Sequence, residues 1–274
     1  MNDLARDSTL DPSTPAVAGT QAFGKFMRVL QIVADAPEPP NVAALMRATG
    51  YPRPTVHRIV AALVAERMLE EDPATHLLRM GPRLIQLASR SWGRSDLRLA
   101  AVDALRRLRD ATGETVHLAV PNGRHMTFIE KLESPAAVRM SSRIGTNVQL
   151  HVTAVGKAWL AALPEAERAA VLADLPLPRM TEHTLTDPAA LAAELAQVRA
   201  QGWACDREEH ESGIHCFGAA VCGSDGRPLG AISVSTLVFR QKDNPQQAYV
   251  QPLLQACAEV ARRIAEVPAL AQGA

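Results

Sequence analysis

The stretch Asn41 to Glu66, NVAALMRATGYPRPTVHRIVAALVAE, constrains this chain more than any other, because it reads as two short amphipathic helices around a Gly-Tyr-Pro turn. Val42, Leu45 and Met46 fall at i, i+3 and i+4 on the first helix. Val56, Ile59, Val60 and Leu63 repeat the stripe on the second, so each helix has one face to bury. Gly50 can take the positive φ that ends the first helix, and Pro52 sets φ for the turn into the second, as Pro tends to at a first helical position. So short a connection turns a sharp corner, and the spacing predicts a helix-turn-helix. With the stripes inward, Arg53, Thr55, His57 and Arg58 occupy the outer, N-terminal part of the second helix. These side chains reach phosphates or base edges: Arg grips guanine through two hydrogen bonds, and Thr meets a base edge or the thymine methyl. A helical hairpin with a solvated basic face would show the same pattern.

The flanking residues narrow the choice. Met68 to Asp72 leads through Asp72-Pro73 to His76–Met80, a β-hairpin of two short strands. Phe23 to Ala34 supplies a further helix, with Phe26, Val29, Leu30 and Val33 on one face and Lys25 and Arg28 on the other. Three helices and a small hairpin make a winged helix. Lys plus Arg equals Asp plus Glu at 29 each over 274 residues, so DNA affinity has to come from local placement rather than bulk charge. Glu71 and Asp72 beside the wing would repel phosphate, which leaves the helix as the dominant contact.

A chain of this length accommodates two domains. The expected division is a disordered arm over 1–20, a winged helix-turn-helix DNA-binding domain over 21–82, a helical linker over 83–112 and an effector-binding domain over 113–274. Leu84, Ile85, Leu87, Ala88 and Trp92 suggest a helix interrupted at Gly93. Leu97, Ala101, Leu105 and Leu108 then repeat at helical spacing until Gly113. That second stripe packs either on a second copy of the chain or on the chain's own C-terminal domain. Cys205, Cys216, Cys222 and Cys257 lack CxxC spacing, and no apolar run is long enough for a signal peptide or a membrane span, so a reducing cytoplasm is expected.

In the C-terminal part, Gly113–Val120 and Met126–Lys131 flank Asn122-Gly123 and read as a hairpin. Period-2 alternation puts Ile232 and Val234 on one face and Ala231, Ser233 and Ser235 on the other. Cys216, Gly218, Ala220 and Cys222 likewise share a face of small residues. Such a face leaves room for a ligand, simply points to water, or admits a tightly packed helix. Thr153-Ala154-Val155-Gly156-Lys157 opens a helix whose free N–H groups and positive dipole end favour an anion, for which a carboxylate is the natural guest. The helix over 252–267, with Leu253, Leu254, Cys257, Val260, Ala261 and Ile264 on one face, closes the domain.

ATGYPRPTVHR, the wing exit MGPRLIQLA, HVTAVGKAWLA, DREEHESGIHCFGAAV and GRPLGAISVS are collinear from about Phe23 to Val267, and together they resemble the IclR-type bacterial transcriptional regulators. The resemblance implies an α+β chain with an N-terminal winged helix-turn-helix domain, a helical linker and a C-terminal α/β GAF-like domain built on an antiparallel sheet. It implies a repressor more often than an activator, no cofactor, a pseudo-palindromic double-stranded DNA operator, and a homodimer or dimer of dimers without membrane attachment. It also implies an effector pocket from the backbone around Ala154, Val155 and Gly156, the side chains of Asp206, Cys216, Ser233 and Ser235, and the apolar Ile214. In that reading the serines and amides hold a carboxylate and Asp206 accepts from an effector hydroxyl. KLES with VRMSSRIG resembles the sugar-acid and small hydroxy-acid branch more than the aromatic-acid branch. Pro54 stands where Ser is common, Gln149 where Pro is common and Leu78 where the wing often has Tyr, so the four recognition residues are carried over as a group.

Two rival chemistries draw on the same residues. Cys216 as nucleophile, with His215 or His210 as base and Asp206 as orienter, has the right residue types for an enzyme. However, His215 neighbours Cys216 on a strand and points to the opposite face, so that pair cannot form. Cys205, His210, His215 and Cys216 are metal-ligand types but lack the close paired spacing of a structural zinc site.

Overall fold

The computed structural model describes residues 20–92, 96–138 and 140–266. Apart from Thr20, the expected arm over 1–20 lies outside them, as do Gly93 and Val267. The chain forms two compact units, 1–94 and 95–274.

The first unit runs α1 (Gln21–Asp35), α2 (Val42–Thr49), α3 (Arg53–Ala65), β1 (Leu69–Glu71), β2 (Leu78–Met80) and α4 (Pro82–Trp92). Asn41 caps α2 by accepting from Ala44 N at 2.9 Å, and Gly50, at φ 70°, ends it by donating to Met46 O. Pro52 does not occupy the first helical position. It is the residue before α3, with φ −58° and ψ 145°, and Pro54 falls in the first turn, where no intrahelical N–H is lost. Val29, Leu30 and Val33 from α1, Leu45 from α2, and Val56, Ile59, Val60 and Leu63 from α3 form one core. Both wing strands are pinned to it, because Leu69 and Leu78 are buried there. Glu70 pairs with Arg79 across the hairpin, and Asp72 closes the turn by accepting from Ala74 N and Thr75 N at 2.9 and 3.0 Å. These backbone donors hold the Asp72 carboxyl below the usual carboxylate range.

In the second unit, six strands among the described residues form one antiparallel sheet in the order β5-β4-β3-β8-β7-β6. They are β3 (Thr115–Asn122), β4 (His125–Leu132), β5 (Asn147–Gln149), β6 (Ala204–Arg207), β7 (Ile214–Cys222) and β8 (Pro228–Leu237). The hairpin expected at Asn122-Gly123 joins β3 to β4, with Gly123 at φ 58°. One face of the sheet presents Val116, Leu118, Phe217, Ala219, Val221, Ile232 and Val234 to α5 (Asp96–Thr112) and α9 (Gln251–Glu266). Ala101, Leu105 and Leu108 of α5 are buried in this core, so the stripe expected in the linker is covered within its own unit. The opposite face is covered by α6 (Ala154–Ala162), against which α8 (Pro188–Gln201) packs, with α7 (Glu165–Ala173) alongside. Among the described residues no helix is long and apolar enough to cross a membrane.

Candidate DNA-reading helix and effector site

On α3 the buried stripe leaves Arg53, His57 and Arg58 exposed and Thr55 half-buried. Arg53 and His57, one turn apart, face each other, with Nε donating to His57 Nε2 at 3.4 Å. Two guanidinium groups, an imidazole and a hydroxyl thus lie at the N-terminal end of α3, where its dipole also favours phosphate. The wing beside it carries exposed Glu70 and Glu71, the latter engaged by His76 Nδ1 at 2.8 Å.

In the second unit, the α6-covered face of the sheet collects the polar residues. Register places Asp206, Cys216, Ser235 and Thr115 in one row across β6, β7, β8 and β3, and Ala204, Gly218, Ser233 and His117 in the next. Ile214 continues the same face at the start of β7, half-buried. Asp206, Ser233 and Ser235 are 2–4% exposed, so their polar atoms are set into the interior.

The start of α6 lies directly on this face. A Cβ on Gly218 would fall 2.5 Å from the carbonyl carbon and oxygen of Ala154, so glycine is what lets the helix land on β7 beside Ser233. Thr153 caps the helix by accepting from Gly156 N at 3.2 Å. The N–H groups of Ala154 and Val155 have no acceptor within the helix and remain as donors at this end. Of the expectations for the small-residue face, close helix packing holds at Gly218. The serines, one strand over, are not explained by that contact. Gly156 has its own packing reason: a Cβ there would meet the Leu150 carbonyl oxygen at 2.4 Å.

The electrostatics suit a protonated, hydrogen-bonding site. Burial pushes the Asp206 carboxyl up to about 7, against the pull of two backbone donors, Glu209 N at 2.8 Å and His210 N at 3.3 Å. Burial also raises the Cys216 thiol well above its ordinary value, and its Sγ donates to Ser235 Oγ at 3.2 Å. A protonated thiol held this way is a poor nucleophile. Cys205 packs into the opposite core, while Cys216 faces α6, so the two sulfurs do not converge. His215 is turned to Gln241 Oε1 at 2.6 Å. Among the described residues no group of three or more His, Cys, Asp or Glu is placed to hold a metal ion.

Two arrangements were not foreseen from the sequence. His117 on β3 stands across from Ser233, its Nε2 2.8 Å from Ser142 Oγ. Lys157 on α6 is fully buried, with Nζ 2.6 Å from Glu209 Oε1 and 3.3 Å from Glu194 Oε1, and so ties the helix to the loop that follows Asp206.

Comparison with known proteins agrees with this architecture in both units. Residues 24–73 match the IclR helix-turn-helix domain, and residues 90–262 match the bacterial transcriptional regulator IclR C-terminal domain. The chain is 31% identical to the HTH-type transcriptional regulator XynR of Escherichia coli, over 89% of this chain and 97% of that one. It is 30% identical to the HTH-type transcriptional repressor AllR of Salmonella typhimurium, over 80% and 81% respectively. Among solved structures, an IclR homolog from Microbacterium hydrocarbonoxydans complexed with 4-hydroxybenzoate superposes with a TM-score of 0.77 at 26% identity, covering 89% of this chain and 99% of that one. The chain belongs to the IclR family of bacterial transcriptional regulators.

Proposed function

We propose that the chain is a repressor that reads a pseudo-palindromic operator through Arg53, Thr55, His57 and Arg58, and that a small carboxylate bound in the second unit alters its hold on DNA. The observation that carries the effector reading is the pair of buried serines, Ser233 and Ser235, one strand over from the point where α6 meets Gly218. Hydroxyls and open helix N–H groups together suit a carboxylate. Asp206, protonated in part near neutral pH, tolerates that charge better than a fully ionised neighbour would and can exchange a hydrogen bond with an effector hydroxyl. The related protein that holds 4-hydroxybenzoate binds a carboxylic acid, which supports the class without fixing the member. Sugar acids and small hydroxy acids are the favoured members here. The effector acts by binding one arrangement of the chain better than another, since a ligand shifts an equilibrium only by its differential affinity. A homodimer or dimer of dimers accounts for two operator half-sites.

The test is a thermal-shift screen of the full chain against sugar acids, 2-oxo acids, small hydroxy acids and aromatic acids, followed by release from DNA upstream of its own gene. A selective hit that Ser233→Ala with Ser235→Ala abolishes is the expected result. Unchanged affinity in that double variant places the pocket elsewhere.

A further inference from the structure

Of the polar groups around the site, His117 stands out because half of its hydrogen-bonding capacity is unused in a dry setting. The residue is 3% exposed. Its ring stacks on Phe128 with centroids 4.4 Å apart, and Nε2 engages Ser142 Oγ. Nδ1, equally buried, has no hydrogen-bond partner among the described residues. Burial and the nearby Lys131 ammonium push the imidazole down to about 3, so it is neutral at physiological pH. Lys131, opposite His117 on β4, is itself occupied, with Nζ donating to Met140 O at 2.9 Å and Ser142 O at 2.7 Å. Met140 and Ser142 are therefore held by the His117–Lys131 pair, and Nδ1 of His117 is left without a partner among the described residues.

The position of that nitrogen fits it to a particular part of a ligand. His117 is the cross-strand neighbour of Ser233, one strand spacing away at ~4.8 Å. A two- or three-carbon step from a carboxylate at the serines reaches it. A neutral imidazole has one donor and one acceptor, and the Ser142 hydroxyl can take either role, so Nδ1 presents a proton or a lone pair according to tautomer. A ligand hydroxyl satisfies both cases, and a methylene satisfies neither.

We propose that His117 sets the specificity of the site for hydroxy acids, its Nδ1 pairing with a hydroxyl on the second or third carbon of an effector whose carboxylate is held by Ser233, Ser235 and the start of α6. This inference rests on the effector reading given above. It makes the buried histidine a discriminating group, because a ligand hydroxyl gives the already dry Nδ1 a partner, whereas an analogue without the hydroxyl leaves it unpaired.

The test is calorimetric titration of the full chain with 2-hydroxybutyrate, 3-hydroxybutyrate and butyrate, for the native protein and for His117→Phe, which keeps a ring against Phe128. The expected result is that at least one hydroxy acid binds the native protein tenfold or more tightly than butyrate. In His117→Phe that preference falls below threefold, through loss of hydroxy-acid affinity. A preference that survives in His117→Phe overturns the inference and leaves the carboxylate site standing, as does native protein that binds all three acids alike. Binding of none of the three overturns the inference, while the site reading stands or falls by the wider screen and the double serine variant. Should His117→Phe fold poorly, imidazole 15N shifts of the native protein decide: Nδ1 of His117 should move on adding the hydroxy acid and stay put on adding butyrate, and equal movement with both counts against the proposal.

Discussion

Lys157 Nζ lies 2.6 Å from Glu209 Oε1, with the lysine entirely out of water and the glutamate side chain 6% exposed. Glu209 Oε2 has no partner among the described residues, and Oε1 also accepts from Arg207 N at 3.3 Å, so the ammonium is the main compensation for a buried carboxylate. Removing one member of such a pair strands the other, at about 3–5 kcal/mol. Lys157→Met should lower the stability of the second unit by that amount in chemical denaturation. Adding Glu209→Gln should recover at least a third of the loss. If Lys157→Met alone costs under ~1 kcal/mol, the ion pair is not what holds α6 to the loop after Asp206.

Arg58 is exposed on the outer side of α3 and makes no contribution to the core, so its replacement separates recognition from folding. Arg58→Ala should weaken binding to the operator by ~1–3 kcal/mol in fluorescence anisotropy while the melting temperature stays put. A contact to phosphate rather than a base would instead show as a salt slope shallower by about one, with equal losses on unrelated DNA. Unchanged affinity and slope together would remove Arg58 from the interface.

Asp206 and His117 give opposing pH dependences. The Asp206 carboxyl titrates at about 7 in the fold against an ordinary 3.8, so its contribution to stability is complete below about pH 4 and is lost as pH rises through 7. His117 titrates at about 3 against an ordinary 6.5, so stability is complete above 6.5 and is lost as pH falls toward 3. Between about pH 4 and 6.5 the two slopes oppose each other. Asp206→Asn removes one of them and keeps an oxygen for Glu209 N and His210 N. The variant should gain on the native protein as pH rises from 4 to 7, by at most ~1.4 kcal/mol per pH unit, and then run parallel to it. A constant offset across that range would mean that Asp206 ionises normally in the fold.

Gly218→Ala places a methyl carbon 2.5 Å from the Ala154 backbone, a distance that only movement of α6 relieves. The expected cost is about 1–3 kcal/mol of stability, with effector affinity falling more than tenfold because the helix N–H groups shift away from the serines. Native affinity in a folded Gly218→Ala protein would show that the start of α6 takes no part in binding.

The helices of the first unit were legible because their apolar residues recur at helical spacing and Asn41 and Gly50 mark the ends of α2. The alternation in β8 likewise gave the correct faces for Ser233 and Ile232. One detail at the turn was not: Pro52 precedes α3 rather than opening it, a distinction of one residue that propensity does not resolve. His117 was visible only as a polar residue in phase with Thr115 inside an apolar strand, and its partner Ser142 comes from a separate segment. Lys157 and Glu209 are 52 positions apart, and no local pattern links them. The small residues of β7 fitted a cavity and a packed helix equally well, since composition states how much room there is and not what fills it.

The place of α5 in the second core bears on how such regulators can be recombined. Ala101, Leu105 and Leu108 are 0–2% exposed against α9 and the sheet, so this helix is structural material of the second unit. A chimaera joined at Gly113 would strip those side chains from their pocket and leave an apolar trough on the recipient sheet. A junction placed ahead of Asp96 would carry the helix along with the half it completes, so one sensing half could be transplanted onto different reading heads as an intact cassette.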